Sequence, residues 1–200
     1  MNACVFVVDD DISMRESLEL LISSAGWQTR TCASAREFLD WPRVMAPSCL
    51  VLDVSLPDLS GLEVQRLVAD RVEMPVVFIT GSIDVPTTVR AMKAGAVEFL
   101  TKPFSGDTLL SAIRQALERS QAALAQAADW LTLRKRYTSL SRREREVMSL
   151  IVSGRLNKQV GGELGITENT VKAHRSNVMR KMRAGSLPDL VNMVSRLQRN

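Results

Sequence analysis

Five short β-rich runs, each followed by a stretch with helical spacing, fill the first 120 residues of the chain. They are Cys4 to Val8, Trp27 to Cys32, Cys49 to Val54, Val76 to Thr80 and Glu98 to Leu100. Such alternation buries its strands when they lie parallel in one sheet with helices on both faces. Cys49-Leu-Val-Leu and Val76-Val-Phe-Ile are apolar without interruption, as strands covered on both sides must be. Between the first two runs, Met14, Leu18, Leu21, Ile22 and Ala25 make one helical face closed by Gly26. Ser34-Ala-Arg-Glu37 predicts a capping box opening a short helix that Pro42 ends, and Ser60 and Asp84 are N-cap residues for the next two. Gly95 closes the second of these. The expected fold is an α/β flavodoxin-like (βα)5 domain over residues 1–120.

From about Ser105 the pattern becomes helical and stays so. Ile113, Leu117, Leu124 and Leu131 form a narrow stripe reaching towards Arg136, which predicts one long helix with residues 121–137 as a semi-rigid linker. The stripe suits a dimer seam or docking onto either flanking domain. A break near Thr138 precedes a small all-α unit of four helices over residues 138–200, with a capping box at Ser141-Arg-Arg-Glu144 and Pro188 opening the last helix.

The net charge of +4 hides two opposite halves. Residues 1–120 carry 11 Lys and Arg against 16 Asp and Glu, whereas residues 121–200 carry 15 against 6. The second half has the electrostatics of a nucleic-acid binder. No apolar run approaches the ~18 residues that span a bilayer. Met1-Asn-Ala-Cys lacks the basic region of a secretory signal. Cys4, Cys32 and Cys49, odd in number and without C-x-x-C spacing, read as buried small hydrophobes and not as a disulfide framework or zinc site. A cytoplasmic chain is expected.

The chemistry lies at the strand ends. The first run stops at Asp9-Asp10-Asp11 and the third at Asp53. In doubly wound sheets, ligands sit beyond the carboxyl ends of the strands, near the point where strand order reverses. If the first and third strands are neighbours, three carboxylates converge, and a divalent cation removes their mutual repulsion. Oxygen-only ligands favour magnesium, which accepts phosphate oxygens as well. The bland alternative is that the aspartates merely start a helix, where carboxylates suit the positive end of the dipole. It weakens because the fourth run ends in Thr80-Gly-Ser82 and the fifth is followed by Lys102-Pro103. A hydroxyl, an ammonium and carboxylates on one rim make a phosphoryl-handling site, with Asp53 as nucleophile, Lys102 neutralising charge and Thr80 donating to a phosphoryl oxygen. A dinucleotide oxidoreductase would need G-x-G-x-x-G where three aspartates stand. An aspartyl-phosphate hydrolase would want a second acid where Ser55 stands.

Val7-Val-Asp-Asp-Asp, Val51-Leu-Asp53-Val-Ser-Leu-Pro57-Asp-Leu-Ser-Gly61, Phe78-Ile-Thr80-Gly and Glu98-Phe99-Leu-Thr-Lys102-Pro-Phe resemble the receiver domain of two-component response regulators. The resemblance implies phosphorylation of Asp53 by a sensor histidine kinase, and Mg²⁺ (with Mn²⁺ or Ca²⁺ substituting) on Asp10, Asp53 and the Ser55 main-chain carbonyl, with Asp9 helping through water. It also implies that Thr80 and Phe99 are the switch pair and that Lys102 contacts the phosphate. Ser82 departs from the nearest subfamily, where histidine is frequent.

In the basic half, Asn157 to Arg180 fits a helix–turn–helix. Val160, Leu164, Ile166 and Val171 are apolar where the helices pack, Gly161 is small at their closest approach, and Gly165 sits at the turn. Thr167 caps a helix from Glu168 to about Arg183, followed by Gly185, and such a helix fits the major groove. Arg142, Arg143, Arg145, Arg155, Lys158, Arg180 and Lys181 add to one basic field, and His174 packs or hydrogen-bonds within the motif. Leu140-Ser-Arg-Arg-Glu144-Arg-Glu146-Val, Asn157-Lys158-Gln-Val, Leu164-Gly-Ile-Thr and Thr170-Val171-Lys172-Ala-His174 resemble the LuxR-type DNA-binding domain, with Gly161 and Gly162 departing from its alanine-containing pattern. The whole chain is thus similar to FixJ-like response regulators. That implies a transcription factor, not an enzyme, switched by phosphorylation. It would form a homodimer when phosphorylated and bind double-stranded promoter DNA through Lys158, Thr170, Lys172, Ala173, Arg175, Ser176, Asn177 and Arg180. It would act on RNA polymerase as an activator, with the last helix as the dimer contact on DNA.

Overall fold

In the computed structural model, which describes residues 3–82 and 84–198, the chain divides into two compact units, 1–125 and 126–200. The first holds β1 (Cys4–Val8), α1 (Ile12–Ser24), β2 (Gln28–Cys32), α2 (Ala35–Asp40), β3 (Ser48–Asp53), α3 (Gly61–Leu67), β4 (Val76–Thr80), α4 (Val85–Lys93) and β5 (Glu98–Thr101). The strands pair in the order β2-β1-β3-β4-β5, all parallel, so the order reverses between β1 and β3. The flavodoxin-like expectation therefore holds, as does the adjacency that the convergence of carboxylates required.

Alternation along each strand sends successive residues to opposite faces. Phe6, Leu50, Leu52 and Phe78 pack on one face with Phe38 of α2, Val64 of α3 and Ala91 of α4. Val5, Val7, Val51, Val77 and Ile79 pack on the other with Leu18 and Ile22 of α1 and with Leu109, Ile113 and Leu117 of α5 (Gly106–Thr138). All three cysteines are buried in these layers, as expected; burial pushes the Cys32 thiol up to about 11 and the Cys49 thiol higher still. The helix starts also agree: Ser60 and Glu63 form a full capping box, and Asp84 accepts from the Thr87 N–H. At Ser34 the box is half-made. The Ser34 hydroxyl accepts from Glu37, whose carboxylate reaches the N–H of Ala33.

Helix α5 (Gly106–Thr138) continues across the boundary between units. The predicted stripe does not stay on one buried face. Ile113 and Leu117 dock on the sheet, while Leu131 is exposed and Leu133 is buried in the second unit. A stripe extrapolated at a fixed interval fails where a helix leaves one core for another, because the second core selects its own face: Leu133 and, one turn on, Tyr137.

The second unit comprises α6 (Arg142–Val152), α7 (Asn157–Leu164), α8 (Glu168–Met182) and α9 (Leu187–Gln198), packed around Val147, Ile151, Val160, Val171, Val178, Met182 and Leu190. Ser141 and Glu144 form the predicted capping box. Gly165 turns the chain in the left-handed region at φ 65°, and a Cβ on Gly161 would lie 2.8 Å from the Ile166 carbonyl oxygen, which explains a glycine at the crossing. Helix α8 ends close to Arg183, as expected. The left-handed residue is Arg183 at φ 56°, and the Ala184 N–H closes on the Met179 carbonyl at 3.0 Å, so the cap is complete before Gly185.

Candidate functional site: an acidic pit and a basic helix

The pit is built at the strand ends on either side of the reversal in order. Asp9 follows β1, Asp53 ends β3, and one carboxylate oxygen from each of Asp9, Asp10 and Asp53 lies within 4.8 Å of the others. Asp9 is fully buried, Asp53 is nearly so and Asp10 is exposed. The third aspartate has another task. Asp11 is the N-cap of α1, its carboxylate accepting from the N–H groups of Ser13 and Met14. The aspartate run is thus divided: Asp9 and Asp10 converge with Asp53, and Asp11 starts the helix.

Lys102 enters from the end of β5, after which the Lys102–Pro103 bond is cis. Its Nζ donates to Asp9 Oδ2 at 2.7 Å and to Asp53 Oδ2 at 2.6 Å. The remaining Asp53 oxygen accepts from the Ser55 N–H at 2.8 Å. Burial pushes the Asp9 carboxyl above its ordinary range, against the pull of Lys102 and the Asp11 N–H. Burial alone would lower the Lys102 ammonium, but its bonds to Asp53 and Asp9 outweigh that and hold it above the usual lysine value. Three carboxylates thus face one ammonium, and a divalent cation balances the two charges left over. An all-oxygen donor set of this size fits magnesium: Asp9, Asp10 and Asp53 would hold it.

Thr80 ends β4 almost fully buried; its hydroxyl donates to the Ser82 carbonyl at 3.1 Å and accepts from the Ser82 N–H at 3.3 Å. Phe99 is half-buried on β5, its ring 5.9 Å from that of Phe78. The start of α3 packs so tightly under the pit that a Cβ on Gly61 would sit 2.6 Å from the Asp53 carbonyl oxygen. Sequence reasoning gave Asp58 no role. Its carboxylate accepts from the N–H groups of Ala35 and Arg36 at 3.2 and 2.9 Å, tying the loop after Asp53 to α2. Burial opposes its ionisation, yet these N–H groups hold the carboxyl below its ordinary value. Only the match of a helix start to an acid some twenty residues away could have signalled this.

On α8, Thr170, Lys172, Ala173, Ser176 and Arg180 are exposed, opposite the buried Val171, Val178 and Met182. Lys158 is exposed on α7. Arg175 and Asn177 are half-buried: Arg175 donates to Asn157 Oδ1 at 3.3 Å, and Asn177 accepts from Arg180 at 3.1 Å. His174 is half-buried. The basic field is more internally paired than composition suggests. Arg142 and Arg143 pair with Glu146, Arg155 with Glu163, Lys172 with Glu168, and Lys181 with the buried Glu144. Lys158 and Arg180 make no ion pair among the described residues.

Known proteins carry the same two parts in the same order. Residues 5–114 match the response regulator receiver domain, and residues 138–194 match the bacterial regulatory proteins of the luxR family. Nodulation protein W of Bradyrhizobium diazoefficiens is 49% identical over 193 residues, covering 96% of this chain and 85% of that protein. Transcriptional regulatory protein FixJ of Rhizobium meliloti is 42% identical over 190 residues, covering 94% and 93%. The solved structure of response regulator StyR, at 45% identity, superposes with a TM-score of 0.87 over 98% of this chain and all of that one. The chain belongs to the FixJ-like response regulators, transcription regulators in which a receiver domain is joined to a LuxR-type DNA-binding domain.

Proposed function

We propose that Asp53 is the phosphoacceptor and that its phosphorylation by a sensor histidine kinase switches promoter binding. The observation that carries this reading is the Asp53 carboxylate, buried at the end of β3 and held by Lys102 at 2.6 Å beside Asp9. An Asp53 oxygen forms the new P–O bond as the P–N bond to the donor histidine breaks, and the imidazole leaves with a proton from solvent. Mg²⁺, with Mn²⁺ or Ca²⁺ able to substitute, supplies charge neutralisation at the phosphoryl oxygens when held by Asp9, Asp10, Asp53 and the Ser55 main-chain carbonyl. Lys102 moves an N–H from Asp53 to a phosphoryl oxygen. The Thr80 hydroxyl gives up Ser82 to donate to another, and Phe99 follows into the space Thr80 leaves.

The added group brings roughly one further negative charge and three acceptor oxygens. It shifts the equilibrium only as far as it prefers one state, typically ~1–3 kcal/mol. Val85, Val89 and Met92 expose apolar surface on α4, which supports a phosphorylation-dependent homodimer through the α4–β5 face. Residues 121–137 act as the linker between domains 1–120 and 138–200. In the second, Thr170, Lys172, Ala173 and Ser176 face base edges, with Lys158, Arg175, Asn177 and Arg180 around them. The regulator works in the cytoplasm, catalyses no turnover of its own, and activates RNA polymerase at the promoter. Among the described residues no helix is long and apolar enough to cross a membrane.

The test is Asp53→Asn incubated with a small phosphodonor and Mg²⁺. Labelling should disappear, and the affinity for promoter DNA should stop responding to the donor. Undiminished labelling refutes the assignment of Asp53.

A further inference from the structure

Arg15 lies half-buried one turn into α1, and no part of the phosphoryl-transfer scheme uses it. Its guanidinium Nη1 donates to the main-chain carbonyl of Asp9 at 2.7 Å and to that of Asp10 at 2.9 Å. Neither carbonyl accepts from another group among the described residues. These are the two consecutive residues whose carboxylates converge with Asp53.

Consecutive side chains on an extended segment point to opposite sides. Asp9 and Asp10 follow directly on β1, so their carboxylates meet only if the backbone bends between them. The Asp11 cap fixes where the helix begins, but it binds N–H groups beyond the bend. Arg15 binds the bend itself: one charged nitrogen draws two successive carbonyls to the same point, its N–H directions fixed in the guanidinium plane where those of a flexible ammonium rotate. Lys102, by contrast, reaches Asp9 through its carboxylate.

We propose that Arg15 is a positioning residue for divalent-cation binding. It holds the bend that delivers the Asp9 and Asp10 carboxylates to one cation and touches neither the cation nor the phosphoryl group. This rests on the reading of the pit as a cation site. Partners that orient metal ligands without touching the metal typically carry 10–100-fold in metal affinity.

The experiment titrates Mg²⁺ into the full-length chain by calorimetry at fixed ionic strength, for the wild type, Arg15→Gln and Arg15→Lys. It also measures the labelling rate with a small phosphodonor against Mg²⁺ concentration. Arg15→Gln should raise the Mg²⁺ dissociation constant about 10-fold and leave the rate at saturating Mg²⁺ within about 2-fold. Arg15→Lys, which keeps the charge but not the reach and fixed N–H directions of the guanidinium, should bind Mg²⁺ at least about 3-fold more weakly than wild type, and it decides the question if the Gln variant does not fold. An unchanged dissociation constant in Arg15→Gln overturns the inference, as does wild-type affinity in Arg15→Lys, which would mean that charge alone suffices. A fall in the saturating rate with unchanged affinity overturns it too, by placing Arg15 at the reaction itself. Wild-type protein that takes up no Mg²⁺ overturns the reading of the pit along with it.

Discussion

Lys181 is the substitution that best separates the DNA-binding unit's scaffold from its binding surface. Its Nζ lies 2.7 Å from Glu144 Oε2, with the Glu144 side chain 6% exposed and that of Lys181 30% exposed. The same oxygen accepts from the Ser141 N–H at 2.7 Å, so one carboxylate closes the N-terminus of α6 and fastens α8 to it. Lys181→Met keeps most of the stem and removes the charge. Exposed pairs are worth ~0–1 kcal/mol, and breaking a buried pair costs ~3–5 kcal/mol. A pair with one partner buried and the other a third open to water belongs between them, at about 2 kcal/mol. That corresponds to a roughly 30-fold loss of protection for the buried amides of Val171 and Val178 in α8, measured by native-state hydrogen exchange on the full chain.

The pH dependence supplies the sign. Burial pushes the Glu144 carboxyl up, but Lys181 and Ser141 overcome this and hold it below its ordinary value. A depressed carboxyl contributes stability that is present above its unfolded pKa and lost as pH falls through the lower folded pKa. Without Lys181 the burial is unopposed by an ammonium, so the variant loses less on acidification and its deficit against wild type should shrink as pH falls below the ordinary glutamate value of 4.5. A cycle with Glu144→Gln, which retains the acceptor for the Ser141 N–H, should give a coupling of about 1–2 kcal/mol. A coupling below ~0.3 kcal/mol, or a deficit that does not change with pH, would refute the argument.

Other substitutions test other parts. Gly61→Ala forces a Cβ against the Asp53 carbonyl and should cost ~1–3 kcal/mol and slow phosphodonor labelling, both readable by urea denaturation and a labelling time course. Gly162→Ala, exposed within α7 with nothing near its Cβ, should raise stability by ~0.5–1 kcal/mol in the same denaturation assay. Lys158→Ala and Arg180→Ala should each reduce the slope of log affinity for DNA against log salt by about 1, whereas Lys181→Met should leave that slope unchanged.

The receiver was legible because its chemistry sits where apolar runs stop: Asp9, Asp53, Thr80 and Lys102 each mark the end of a strand, and strand ends in a parallel sheet share one rim. Strand order was not legible, and everything in the pit depends on β1 lying beside β3. Lys102 reaches Asp9 and Asp53 across 93 and 49 residues, a pairing no local pattern encodes. The same holds for Glu144 and Lys181, 37 residues apart, which composition alone counts as one more charge in a basic field. Arg15 was invisible for a different reason. Its partners are main-chain carbonyls, and a backbone acceptor carries no residue identity to search for. Leu131 shows the limit of periodicity: it shares the spacing of Ile113 and Leu117 but is exposed, while Leu133, off that spacing, is buried.

The two halves place charge in opposite environments, and that division suits what each has to do. In the pit, Asp9 and Asp53 are buried around a single ammonium, so an added phosphoryl group acts at short range with little solvent to screen it, and a small chemical change can bias a conformational equilibrium. On α8 and α7, Lys158, Lys172 and Arg180 are exposed, where salt screens them and exchangeable ions would be released on contact with a polyanion. Such contacts give affinity that is easily reversed and easily tuned. On the roles proposed for them, the buried site and the exposed surface could not be exchanged: a buried DNA contact could not reach a groove, and an exposed phosphoacceptor would lose most of the effect of its added charge to water.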